Sequence, residues 1–310
     1  MSFTTSVRVA PQLYERLRSI EGVRIIADRP IGEVEMDHFA ALFAHAAPTA
    51  RTFFTGNLCQ TEDFGDAGHL HLMQAGALRL VLAGQDDLVI DEPTLLFLPR
   101  GRPHRFVADA ERGADLACAT VDLGGRFGNP IAHGLPELIV MPLSRHPVLV
   151  PTCALLIAEA FGEGDGRQAA LDSLFAYLLI VVVRDVMTRG LIQGGVLAGL
   201  ADPRLSRALT AIHDRPRKAW TLDDLAEVVG MSRTRFAAAF KEVVGQTPIE
   251  YLTRWRMMIA RGSLAKGRPV KRVAAEAGYD SAAAFSRVFA RVTGESPRAF
   301  RSKGEHSDDA

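Results

Sequence analysis

Two histidines stand one residue apart in Gly68-His69-Leu-His71-Leu-Met-Gln74. Side chains alternate across a strand, so a strand here puts both imidazoles on one face. Neutral imidazole is a common metal ligand, and two on one face can share a site. Nucleotide-phosphate and acyl-transfer chemistry have no foothold. The chain has no GxGxxG, no phosphate loop and no nucleophile elbow, and the run Gly162-Glu-Gly-Asp-Gly166 lacks the lysine that a phosphate loop needs. Asp86-Asp87 and Asp91-Glu92 read as solvated turns, and His133 and His146 fall in loop-like stretches. Cys59, Cys118 and Cys153 are few, odd in number and widely spaced, which suggests neither a disulfide framework nor a zinc knuckle and fits a reducing cytoplasm.

The elements that must position these residues change character along the chain. From about Ile25 to Leu123 the pattern is of short strands: Leu70–Met73, Ala77–Leu82, Asp87–Ile90, Leu95–Leu98 and Leu116–Asp122. Gly76, Gly84-Gln-Asp86 and Pro99-Arg-Gly101 punctuate them, as in a sandwich or barrel. A small leading helix is expected at Leu13–Ile20. After Pro147 the period turns helical, with helices expected at Val148–Phe161 and Ala169–Arg189. The second is apolar on more than one face, so it must be buried against the strands or against a twin in a dimer. Gly190 to Gly199 reads as a flexible joint. Beyond it helices are expected at about 203–213, 222–229, 233–244, 249–265, 270–277, 282–293 and 298–302.

That last segment repeats itself. Leu222, Leu225, Ala226, Val229 and Gly230 recur 48 residues later as Val270, Val273, Ala274, Ala277 and Gly278. Ser232, Phe236, Phe240, Gly245 and Pro248 recur 49 residues later as Ser281, Phe285, Phe289, Gly294 and Pro297. Each position has a physical job. Gly230 and Gly278 supply the positive φ of a tight turn. Ser232 and Ser281 accept a bond from the free N–H groups that open the next helix. The phenylalanine pairs, spaced i to i+4, anchor that helix inward. Thr247-Pro248 and Ser296-Pro297 are cap-plus-proline helix starts. The pattern is two helix-turn-helix units joined by one helix of about 25 Å, enough to set two recognition helices toward successive major grooves.

Residues 203–302 resemble the double helix-turn-helix DNA-binding domain of the AraC/XylS family. The likeness rests on Gly278-Tyr279-Asp-Ser281 through Phe285, Phe289 and Gly294-Glu-Ser-Pro297, and on Gly245-Gln-Thr-Pro248-Ile-Glu-Tyr251 with Arg254 and Arg256. The resemblance implies DNA contacts from Arg233, Thr234 and Ala238 in the first recognition helix, with Arg235 beside them in reach of phosphate. In the second it implies Ala282, Ala283, Ser286 and Arg287. Arg287 suits bidentate contact with guanine, and the alanines offer only methyl contacts. Ser232 and Ser281 open helices whose N-termini suit phosphate. Ala238 departs from the family, where arginine is common, so specificity is expected to divide between Arg233/Thr234 and Arg287.

The segment Gly68–Gly76, followed by Leu95-Leu-Phe-Leu-Pro99-Arg-Gly101-Arg-Pro-His104, resembles the two cupin motifs, closest to the ligand-binding domain found ahead of AraC-type units. The resemblance implies a barrel site in which His69, His71 and His104 match metal ligands by position. The family's glutamate is absent, and Gln74 is the nearest polar candidate, at a different spacing. Three imidazoles and an amide suit Zn²⁺, Ni²⁺ or Fe²⁺, but many regulatory cupins keep the barrel as a pocket without metal.

Net charge is zero, but residues 1–200 carry 16 basic and 23 acidic side chains, against 20 and 10 in residues 201–303. Such a split points one half at a polyanion. The longest apolar run, Leu174–Val183, is too short to span a bilayer, and the N-terminus lacks a signal-peptide pattern. The expected fold class is α+β multidomain. It comprises a cupin-like β-barrel sensor at 1–145, a helical dimerisation segment and linker at 146–199, an all-α double helix-turn-helix at 200–303 and a disordered tail at 304–310. The expected function is a cytoplasmic, dimeric, sequence-specific transcription regulator acting on double-stranded promoter DNA, with an unidentified small-molecule effector. By resemblance it is an activator that meets RNA polymerase. The alternative is a metal-dependent cupin enzyme with a helical appendage.

Overall fold

The computed structural model describes residues 42–43, 47–123 and 130–305. The helix expected at 13–20 and residues 306–310 of the expected tail lie outside the described residues, while 304 and 305, expected in that tail, continue the last helix.

Nine strands form two antiparallel sheets among the described residues: β1 (Thr49–Leu58), β2 (Thr61–Phe64), β3 (Gly68–Gly76), β4 (Leu78–Leu82), β5 (Leu88–Ile90), β6 (Thr94–Leu98), β7 (His104–Ala108), β8 (Ala114–Asp122) and β9 (Ile139–Pro142). The larger sheet runs β1-β8-β3-β6-β9 and the smaller β2-β7-β4-β5. The expected barrel is therefore two sheets. Among the described residues, β1, β9, β2 and β5 are each paired on one side only, so neither sheet closes.

Alternation splits the larger sheet between two cores. Met73, Leu96, Leu98, Leu116 and Cys118 pack with Leu80 and Phe106 of the smaller sheet. Leu70, Leu72, Leu95, Phe97, Ala117 and Ala119 join the helices that follow. Those helices are α1 (Pro130–Gly134), α2 (Val150–Ala160) and α3 (Arg167–Thr188). Helix α3 buries Leu171, Phe175, Leu178, Leu179, Val182, Val183 and Val186. It packs along β1 and α2, the first of the two options its apolar faces allow. Polar bonds fix its register at both ends. Asp172 accepts from the Thr52 backbone N–H at 2.6 Å, and near the other end Asp185 takes Arg189 at 2.7 Å and His146 at 2.8 Å.

Residues 195–199, expected within a flexible joint, are helical instead. Helix α4 (Gly195–Ala201) buries Val196, Leu197 and Leu200. Gly194 and Gly195, at φ +151° and +74°, make the reversal that starts it. The glycines were legible as a turn, but apolar residues at helical spacing follow at once and find partners in α1 and in the helices beyond.

The all-helical segment comprises α5 (Leu205–Asp214), α6 (Leu222–Val229), α7 (Arg233–Val244), α8 (Pro248–Ala265), α9 (Val270–Glu276), α10 (Ala282–Thr293) and α11 (Pro297–Glu305). Thr221 with Asp224, and Thr247 with Glu250, form complete capping boxes at the starts of α6 and α8. Each such cap stabilises its helix by about 1 kcal/mol. The two units differ in what they pack on. Phe236 and Phe240 of α7 belong to the core that runs on into the larger sheet. Phe285 and Phe289 of α10 belong to a separate core with Leu264, Val273 and Ala274.

Candidate functional site

The first candidate surface is the pair of second helices, α7 and α10. Both open the same way. Gly230 (φ +68°) and Gly278 (φ +77°) make the turns, and Ser232 and Ser281 accept from the N–H groups of Arg235 and Ala284 at 3.4 and 3.1 Å. Each serine thus satisfies one of the free amides and leaves others pointing outward.

Phe236/Phe240 and Phe285/Phe289 face inward with no exposure. That orientation turns Ser232, Arg233, Thr234, Arg235 and Ala238 outward, together with Ser281, Ala283 and Arg287, all exposed. Ala282 and Ser286 are half-buried. The Ser286 hydroxyl donates to the Ala282 carbonyl at 2.7 Å, so toward a ligand it can only accept. Arg233 is held by Asp223 of α6 at 3.3 Å, an exposed pair that a phosphate or base must displace. Arg287 makes no salt bridge among the described residues.

One residue ties the two units together. Arg256 of α8 donates to the carbonyls of Pro216 at 2.7 Å and Lys218 at 2.9 Å, just ahead of α6. Its guanidinium also lies 5.8 Å from the ring centre of Tyr279, in the second unit's turn. Beside it, a Cβ on Gly278 would stand 2.8 Å from the Arg217 carbonyl oxygen, so glycine is required there both for φ and for space. The sequence marks Arg256 as part of a motif but does not reveal this bracing role, because its partners are backbone carbonyls some 40 residues away.

The second candidate is the histidine cluster. His69 and His71 project from one face of β3 into the space between the sheets, where His104, the first residue of β7, meets them. One ligand nitrogen from each lies within 4.8 Å of the other two. His104 Nδ1 sits 2.8 Å from the Arg102 carbonyl, so it carries the proton and leaves Nε2 bare. His71 Nε2 is 3.0 Å from that atom. Without metal this contact is a hydrogen bond from His71 to His104. Two nitrogens bound to one tetrahedral zinc stand about 3.3 Å apart, close to the same geometry.

Phe64 lies parallel to His104 at 4.8 Å, while Phe53 and Phe106 present to His71 edge-on. These aromatic walls come from three strands, and the sequence reading missed them. Gln74 does not join the cluster. It is the extra residue of a bulge between Met73 and Ala75, and it is exposed. Cys118 sits opposite His71 on β8, but burial pushes its thiol up, which keeps the sulfur protonated.

Burial keeps all three imidazoles neutral. His69 is pushed down to about 4, chiefly by burial and then by His104. His71 lies well below the ordinary value, by burial and then by its two neighbours. His104 is lowered by burial, partly offset by its bond to Arg102. The unfolded chain, with ordinary histidines, therefore binds more protons than the folded one below about pH 6.5. In chelator-stripped protein the melting temperature falls as pH drops from about 6.5 toward about 4. A melting temperature that stays level or rises over that window contradicts the buried neutral cluster.

Comparison with known proteins matches both regions. A helix-turn-helix domain model covers residues 225–303, and a cupin model covers residues 37–188. An uncharacterised HTH-type transcriptional regulator of Haemophilus influenzae is 30% identical over 265 residues, covering 78% of this chain and 88% of the relative. A putative AraC-like transcription regulator of Streptomyces lividans is 46% identical over 203 residues, 63% of this chain and 66% of its own. RclR of Escherichia coli K12, an RCS-specific HTH-type transcriptional activator, is 26% identical over 240 residues, 75% of this chain and 84% of its own.

Proposed function

The chain belongs to the AraC-type family of helix-turn-helix transcriptional regulators, and on that footing we propose an effector-responsive activator that reads two successive major grooves of promoter DNA with α7 and α10. The family's function is regulation, and the relatives described above are regulators rather than enzymes. The observation that carries the groove reading is the matched pair of serine-capped helices that turn Arg233, Thr234 and Arg287 outward. Ser232 and Ser281 mark the helix starts that meet phosphate, and Arg235 lies beside the first of them. Ala238, Ala282 and Ala283 supply small or methyl contacts, and Ser286 accepts.

Base readout by Arg287 is tested by binding Arg287→Ala to a panel of operator variants. The expected loss is about 1–3 kcal/mol, concentrated at one base position. An unchanged sequence preference removes Arg287 from base contact and leaves it a phosphate ligand.

The proposed organisation is a sensor at 1–145, a dimerisation segment and linker at 146–199 and a DNA-binding domain at 200–303. A homodimer is supported by exposed Val148, Val150, Leu155 and Tyr177 in and beside α2 and α3. Activation follows the naming of the Escherichia coli relative, and contact with RNA polymerase rests on the family resemblance. A cytoplasmic location follows from the proposed role, which places the chain where promoter DNA is. No described helix is long and apolar enough to cross a membrane.

The cluster of His69, His71 and His104 supports a second function for the sensor, the holding of a divalent ion such as Zn²⁺, Ni²⁺ or Fe²⁺. Three neutral imidazoles fit such an ion, leaving a coordination position for an effector. Such an ion would supply Lewis acidity at that position, with Phe64 and the buried Phe106 packed against the imidazoles. Metal analysis of protein purified without chelator is expected to give one ion per chain, lost in His71→Ala. No stoichiometric metal sinks this reading and leaves an aromatic-walled pocket.

A further inference from the structure

The helix that joins the two DNA-reading units carries a cleft of its own. Its volume is about 830 Å³, and its walls come from the α7–α8 turn, one face of α8 and the C-terminal end of α10, with Gly195 and Val196 of α4 at one side. That volume is in the range of small-molecule pockets. The walls are mixed. Val196, Ile249, Met258 and Val292 give an apolar lining, and Arg254, Arg261 and Arg291 give cationic groups.

The charges have an order. Arg261 already interacts with Glu295 and with Asp122 at the end of β8. Glu250, the acid on the wall, is held in its capping box by the Thr247 N–H and hydroxyl at 2.9 and 2.8 Å. Arg254 and Arg291 make no salt bridge among the described residues.

We propose that this cleft binds an organic anion with an apolar body. Arg254 and Arg291 take the anionic head. Val196, Ile249, Met258 and Val292 cover the body. The occupant touches the turn of the first unit, the end of the second recognition helix and the α4 helix that leads in from the sensor. A ligand here reports on both units without entering the histidine cluster. The proposal builds on the DNA-binding reading only for that consequence, and occupancy is measured without DNA.

The probe is 1-anilinonaphthalene-8-sulfonate, read by fluorescence on the full chain. Its uncharged counterpart N-phenyl-1-naphthylamine has the same body and no sulfonate. The sulfonate is expected to bind at one saturable site at least tenfold more tightly than the amine. The double variant Arg254→Ala/Arg291→Ala loses at least tenfold in sulfonate affinity and is unchanged for the amine. Both arginines are exposed, so the variant is expected to fold, and its melting curve checks this. Ile249→Trp, at a partly exposed wall position, fills the space and weakens both probes. Equal sulfonate affinity in the wild type and the double variant, or no advantage over the amine, overturns the proposal. If DNA affinity alone falls in that variant, the two arginines are phosphate contacts and the cleft is not a ligand site.

Discussion

Phe285→Ala is expected to lower the stability of the second helix-turn-helix unit by about 3–5 kcal/mol, the usual cost of emptying a buried phenylalanine site. The ring has no exposure and lies 5.5 Å from Phe289 and 5.7 Å from Tyr279. The consequence is local, because this core is separate from the one that holds Phe236 and Phe240. A thermal scan of the variant should show an early partial transition ahead of the main one. DNA binding should keep the first unit's contribution and lose the preference set by α10. Phe236→Ala removes the same kind of ring from the core shared with the sheet, and its transition should shift as a whole. If the two variants melt alike, in one transition, the independence of the two cores is wrong.

The affinity of the full chain for promoter DNA is expected to fall about 10³–10⁵-fold between 50 and 200 mM salt, given roughly six to ten phosphate contacts. Residues 201–303 carry 20 basic against 10 acidic side chains. Arg233, Arg235 and Arg287 are exposed on the two recognition helices, and two serine-capped helix starts add amides for phosphate oxygens. The net charge of the whole chain is zero, so the slope reports the local field and not the average. Filter binding or anisotropy over a salt series measures it. A nearly flat profile contradicts a phosphate-led grip. Arg287→Ala should lower the slope by about one if that residue meets phosphate, and alter base preference instead if it meets guanine.

The helical half was legible because its signals are local. Gly230, Ser232 and Phe236 fix a turn, a cap and an inward face within seven residues, and Gly278, Ser281 and Phe285 repeat them. The observed helices α6, α7 and α10 have the expected bounds. The strands were harder. β1 hides its alternation because a bulge falls between Thr52 and Phe54. β2 is short, and three of its four residues are exposed. β9 is four residues long and far in sequence from the β6 strand it pairs with. The shared face of His69 and His71 followed from parity alone. Gln74 is near the histidines in sequence but has the opposite parity, and the bulge carries it into solvent. No sequence periodicity could bring Phe53, Phe64 and Phe106 to the same imidazoles, since strand pairing across the fold decides that. The α8 cleft is equally non-local, with walls drawn from four helices and one turn.

Arg256 braces the first unit's loop against the second unit's turn, and Gly278 lets their backbones meet. DNA repeats its face about every 10–10.5 base pairs. A reader whose two heads are pinned at one separation is thereby a gauge of helical phase. Five extra base pairs between its two sub-sites would carry the second to the far side of the duplex, where no rotation of a flexible tether is available to follow it. Ten would restore the face but leave it out of reach. On the proposed two-groove reading, the interval between sub-sites is as much part of the operator as the bases within them.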